Sequence, residues 1–123
     1  MRISIFNLTR NPRLPRAGIR DAIRTAARKE KARFHETNIV IAGRRRLRSL
    51  NRTYFHKDRS TNVISFHLGD VCEIYVARPL ARSDYELYYF IMHGFLHALG
   101  YDHRRRGERS RMDERCRGYL KHV

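Results

Sequence analysis

Twenty-seven Lys and Arg against twelve Asp and Glu leave this 123-residue chain with a formal net charge of +15, which favours polyanionic partners and makes nucleic acid the first of them. With 41% hydrophobic residues, the length suits a single domain, 1–123, with one core and is too short for two. No segment reaches the apolar length of a membrane span, and no basic amphipathic helix stands apart from the core stripes. The apolar run in Met1–Phe6 is too short for a signal peptide, and Cys72 and Cys116 lack paired zinc-ligand spacing and suit reduced core thiols. The expectation is a cytoplasmic protein with no membrane partner.

Residues 2–8 read as a strand, and Pro12 and Pro15 mark a loop into a helix from about Arg16. Ile19, Ala22, Ile23, Ala26 and Ala27 then form one apolar stripe at helical spacing. Asn38–Ala42 reads as a short buried strand ended by Gly43, and Leu47, Leu50, Asn51 and Tyr54 repeat at helical spacing among Arg44, Arg45, Arg46 and Arg48. Val63–Phe66 and Val71–Val76 are strands, and Gly69-Asp70 predicts a tight turn between them, hence an antiparallel hairpin. Ser83 and Glu86 have the spacing of a capping box at a helix start. From there Leu87, Phe90, Ile91 and Ala98 can seat a helix on the sheet. Residues from about Glu108 to Lys121 predict a last helix with Met112, Cys116, Tyr119 and Leu120 inward.

The chemistry concentrates in the segment from His93 to His103. His93 and His97 stand four apart, so on a helix their imidazoles project from one face and can reach one ion. His103 cannot join by continuing that helix, because it would lie roughly 9 Å beyond His97 along the axis. Gly100 sits where a left-handed residue can end the helix and turn the chain back. Three neutral imidazoles and one open position are the usual design of a catalytic zinc site. The spacing matches the metzincin peptidase pattern except after the first histidine, where those enzymes carry the Glu that serves as base and this chain carries Gly94.

With these segments in order, the chain resembles the YbeY family of rRNA maturation factors and metal-dependent endoribonucleases. Its signature H-G-x-L-H-x-x-G-Y-D-H is met by His93, Gly94, Leu96, His97, Gly100, Tyr101, Asp102 and His103. Thr61-Asn62-Val63-Ile64-Ser65-Phe66 resembles the family's T-[DN]-V-L-S-F strand, Gly69-Asp70 its Gly-Asp, and Leu50-Asn51 with Tyr54 its L-N-x-x-Y helix end. The match runs from about Leu47 to His103, while the first 45 residues agree only in element order. The resemblance implies an α+β single domain, a four-stranded mixed sheet with packed helices and a zincin-like metal helix. It also makes Gly94 the family's own residue. Two positions depart: Phe55 stands where the family carries an arginine of its active cleft, and His67 stands where it carries proline. Lys57, Arg52 and Arg59 are the alternative candidates to supply that charge. His67 reads either as a surface histidine or as one approaching the cleft from a strand end.

The resulting expectation is one Zn²⁺ per chain, or another divalent ion, on His93, His97 and His103. His97 and Asp102 carry the catalytic assignment. Asp102 either orients a ligand imidazole, as carboxylates behind metal ligands do, or caps backbone amides in the turn. RNA brings its own nucleophile, the 2′-hydroxyl, so a strong base is dispensable. Arg104, Arg105 and Arg106 directly follow the last ligand and, with Arg59, are the expected phosphate contacts. Tyr75, Tyr88, Tyr89 and Tyr101 are either base-stacking residues or core and rim. The functional expectation is an endoribonuclease acting on single strands in rRNA maturation and ribosome quality control, with rRNA or the small ribosomal subunit as partner. A non-catalytic RNA-binding assembly factor with a structural metal, and less so a zinc peptidase, are the other readings.

Overall fold

The structure, a computed structural model, describes every residue except 103, 105 and 106. In chain order it runs β1 (Arg2–Asn7), α1 (Arg16–Glu30), β2 (Glu36–Ala42), α2 (Arg44–Phe55), β3 (Val63–Leu68), β4 (Val71–Ala77), a short 3₁₀ turn (Arg78–Leu80), α3 (Asp84–Ala98) and α4 (Glu108–Tyr119). The four strands form one sheet in the order β1-β2-β4-β3. β1 pairs parallel with β2, β2 pairs parallel with β4, and β3 pairs antiparallel with β4. This is the mixed α+β sheet expected from the resemblance.

The parallel pairs follow from helical crossovers, which such strands need. The antiparallel pair follows from Gly69-Asp70, which joins Leu68 to its partner Val71 with Gly69 at φ +61°. The strands exceed their sequence estimates at several ends: β2 begins at Glu36, and β3 continues through His67 and Leu68. Of the α1 stripe, Ile19, Ala22, Ile23 and Ala26 are buried in one core with Ile39, Ile41 and Ile74 of the sheet, while Ala27 is half-buried against it. Helices α1, α3 and α4 share that face. The opposite face is a smaller cluster of Ala42, Leu47, Ile64 and Ala77, covered by α2.

Helix α3 is the centre of the larger core. Leu87, Ile91 and Ala98 are buried as its pattern predicts, while Phe90 is only half-buried. Met92, Phe95 and Leu96 are buried too, because α3 has the sheet on one side and α1 and α4 on others. Its start is capped by Ser83 Oγ, which accepts from the Glu86 backbone N–H at 3.1 Å. Glu86 returns one residue earlier than the usual box: its carboxylate accepts from the Arg82 N–H at 3.0 Å. The Arg82 backbone N–H, and after it the Arg82 guanidinium, hold the Glu86 carboxyl below its ordinary range. Its end is a Schellman turn, with Gly100 N–H donating to the His97 carbonyl at 2.9 Å and Tyr101 N–H to the Leu96 carbonyl at 3.1 Å. Gly100 has φ +108°, the backbone state that ends the helix and reverses the chain.

Candidate metal centre and cleft

Tyr89, His93 and His97 lie at successive fours on α3 and therefore share one face. The His93 and His97 Nε2 atoms are 3.1 Å apart, with ring centroids 4.7 Å apart and planes crossing at 71°. Two nitrogens bound tetrahedrally to one zinc ion at about 2.1 Å lie about 3.4 Å apart. The pair fits such an ion with a shift of a few tenths of an ångström. Among the described residues no third His, Cys, Asp or Glu completes a metal-binding group with them. His103, the expected third ligand, lies outside the described residues, as do Arg105 and Arg106.

The pair divides two clefts. His97 lines one of about 620 Å³ between α3 and β3, whose walls include Phe55, Lys57, Ser65, His67 and Gly94. His93 lines another of about 550 Å³ toward α4, with Tyr89, Arg109, Ser110, Met112 and Asp113. On that side the Tyr89 hydroxyl donates to Asp113 Oδ1, and its ring lies along that of His93 with centroids 6.3 Å apart. The Tyr89 hydrogen bond, then Arg117 and His93, hold the Asp113 carboxyl below its ordinary range, while burial and Asp113 push the Tyr89 hydroxyl up. Tyr89 was legible from its spacing to His93. Asp113 was not, because nothing in the chain says that α4 returns to this face.

Asp102 combines a turn role with an ion pair. Its Oδ1 accepts from the Arg104 N–H at 2.9 Å, and the Arg104 guanidinium straddles both carboxylate oxygens at 3.1 Å. Arg104 is thereby engaged at the turn. Asn51 explains the other wall of the cleft. It is buried in the last turns of α2, its Nδ2 donates to the Arg59 carbonyl at 3.0 Å, and its main-chain carbonyl accepts from the Lys57 N–H at 3.3 Å. The loop after α2 is pinned so that Lys57 lines the cleft, with Arg59 exposed two residues further on. His67 is exposed, as its surface reading has it, and it also lines the cleft with its ring edge-on to Phe34 at 4.9 Å.

Gly94 has a steric reason. A Cβ there would come within 2.8 Å of Val63 Cγ2 and 3.0 Å of Ile74 Cγ2, because α3 rests directly on β3 and β4 at this point. The position that carries the base in zinc peptidases points here into a sheet.

The fold and the α3 face define a class: a small α+β domain presenting a histidine pair from a helix laid on a mixed sheet. The family described as Endoribonuclease YbeY matches residues 9–81 and 77–123. The Endoribonuclease YbeY of Geobacter metallireducens is 42% identical over 94 residues, covering 59% of this chain and 61% of that protein. That of Halalkalibacterium halodurans is 33% identical over 122 residues, covering 76% of this chain and 77% of its own. The chain thus spans about three fifths of the length of the Geobacter relative. The solution structure of the Thermotoga maritima protein TM1509 shares the fold, with a TM-score of 0.58 at 23% identity over 97% of this chain and 87% of that one. The chain belongs to the YbeY family.

Proposed function

We propose that this chain is an endoribonuclease that cuts single-stranded RNA with one Zn²⁺ or similar ion held by His93, His97 and His103. We place its work in rRNA maturation and ribosome quality control in the cytoplasm. The observation that carries the reading is the His93–His97 pair, Nε2 atoms 3.1 Å apart, beside a cleft that Lys57 also lines. Family membership and the +15 charge support RNA as the substrate. In such a site the ion, when bound, supplies electrophilic stabilisation of a phosphoryl oxygen or an acidified water.

The chain's own residues do the rest. Lys57 draws a phosphate into the cleft from the side opposite α3. Tyr89, held by Asp113, supports the His93 ring, and the Asp102–Arg104 pair stiffens the turn after Gly100. No side chain at 94 is available as a base, and the RNA 2′-hydroxyl serves as nucleophile.

The test incubates metal-loaded protein with labelled rRNA fragments and with casein, beside a chelated control and His97→Ala. The expected outcome is about one ion per chain, cleavage of RNA and not casein, and loss of stoichiometric metal and of cleavage in His97→Ala. Full metal occupancy in His97→Ala would refute the assigned ligands. RNA binding without cleavage across metals would favour the assembly-factor reading.

A further inference from the structure

The tyrosines that the sequence offered for base stacking are engaged elsewhere. Tyr75 Oη donates to Glu73 Oε1 at 3.1 Å, Tyr101 Oη to Glu30 Oε1 at 2.8 Å, and Tyr89 to Asp113, while Tyr88 Oη lies 2.3 Å from where a Cβ on Gly18 would sit. Phe6 and Tyr85 are exposed singly, whereas two adjacent aromatic rings stand open to solvent at the end of α2. Tyr54 and Phe55 are 60% and 48% exposed. Both lean on Phe66 of β3: its ring centroid is 5.2 Å from that of Tyr54, edge to face, and 6.3 Å from that of Phe55, within 20° of parallel. Phe66 is backed in turn by Tyr75 at 5.9 Å. Tyr54 completes the helical repeat of Leu47, Leu50 and Asn51, yet it stays in water.

Two adjacent aromatic rings left in water forgo burial and mark a contact surface. Cations stand next to them. Phe55 and Lys57 line the same cleft as His97. Lys57 and Arg59 are exposed and enter none of the ion pairs among the described residues, whereas Arg48 and Arg52 are occupied by Asp58. Flat apolar faces beside available ammonium and guanidinium groups match a polyanion whose bases are unpaired. A duplex offers the phosphates but hides the base faces.

We infer that Phe55 and Tyr54, backed by Phe66, form a platform on which an unpaired base of single-stranded RNA stacks at the mouth of the His97 cleft, with Lys57 on the neighbouring phosphate. The inference rests on the RNA-cleaving reading and names how that substrate is gripped. Stacking tolerates any base but requires one, so the platform responds to removal of a base and little to its identity.

The experiment uses zinc-loaded full chain and a short single-stranded RNA with a 2′-O-methyl backbone, which binds without being cut. Affinity is measured by anisotropy for the intact RNA and for versions with one abasic position moved along it. A 2-aminopurine placed at each position reports stacking by quenching. Phe55→Leu keeps apolar bulk and removes the ring, Phe55→Tyr keeps the ring, and melting curves accompany both. Phe55→Leu is expected to bind intact RNA about tenfold more weakly, Phe55→Tyr as the parent does. One abasic position should cost the parent about as much and Phe55→Leu little more. Quenching should appear at that position. Folded Phe55→Leu that binds intact and abasic RNA in the parent's ratio would overturn the platform, as would the absence of quenching at every position, and a protein-docking role would then claim the patch. A parent that binds no single-stranded RNA would overturn the RNA reading and the platform together.

Discussion

At position 94 a local preference and a tertiary contact oppose each other. Glycine inside a helix is about 1 kcal/mol worse than alanine, so Gly94→Ala would stabilise an isolated α3. In the fold the added methyl meets Val63 Cγ2 at 2.8 Å and Ile74 Cγ2 at 3.0 Å, both on β-branched side chains with stiff χ1. Overpacking of this kind costs about 1–3 kcal/mol, which equals or exceeds the propensity gain. Gly94→Ala is expected to be net destabilised by about 1 kcal/mol in urea titrations and to bind zinc more weakly, because the same shift moves His93 and His97. A variant more stable than the parent would show that the sheet yields at this point. Cys72 offers a second check. Burial pushes its thiol from an ordinary 9.0 up to about 12, and burial does the same for Cys116. A raised folded pKa gives stability that is complete below the unfolded value and lost as pH rises through the folded one. Resistance to urea should therefore decline from about pH 9 toward pH 12, and iodoacetamide at pH 8.5 should modify both thiols only after unfolding. Rapid modification of the native protein would contradict the burial.

Elements far apart in the chain meet at Glu30. From the last turn of α1, its carboxylate accepts from Tyr101 after α3 at 2.8 Å and from Arg115 of α4 at 3.0 Å, and the Tyr119 hydroxyl donates to it as well. The Glu30 side chain is only 10% exposed, so removing it takes the acceptor from two part-buried hydroxyls, while the half-exposed Arg115 guanidinium turns to water. Glu30→Ala is expected to cost about 2 kcal/mol and to loosen the turn that follows Gly100. A denaturant midpoint within error of the parent would refute the clamp. This contact also separates what the sequence discloses from what it hides. The α1 stripe, the Gly69-Asp70 hairpin and the Ser83 cap were legible because period, turn chemistry and capping are local rules. The facing of His93 and His97 was legible for the same reason, since i and i+4 share a helix face. The return of α4 to Glu30 and Tyr89 was not, because no local pattern encodes partners 24 to 89 residues apart. Tyr54 misled for a related reason. Its helical spacing placed it with Leu47, but the cluster on that face of the sheet is small, and α2 outruns it.

On the scale of the whole molecule, the sheet separates two kinds of surface. Helices α1, α3 and α4 bury the main core on one face, while α2 lies alone on the other with Arg44, Arg45 and Arg46 exposed at its start and Lys57 and Arg59 beyond its end. With +15 net charge, RNA affinity should fall steeply with salt, by about 0.7 log unit per log unit of salt for each phosphate neutralised. The ion pairs decide which cations contribute most. Arg104 is forked onto Asp102, with contacts at 3.1 Å to both carboxylate oxygens, and must share or leave that partner to meet a phosphate. Lys57 and Arg59 have no such exchange to make among the described residues. Replacing Lys57 and Arg59 together by Ala should reduce the salt slope by about 1.4 while leaving metal content intact. Arg104→Ala should reduce it by less than about 0.7. Titrating a labelled single strand between low and moderate salt reads all three slopes. An unchanged slope in the Lys57/Arg59 variant would mean that RNA runs across Arg44 to Arg48 instead. A full loss of one phosphate's share in Arg104→Ala would mean that the Asp102 fork opens to receive the backbone.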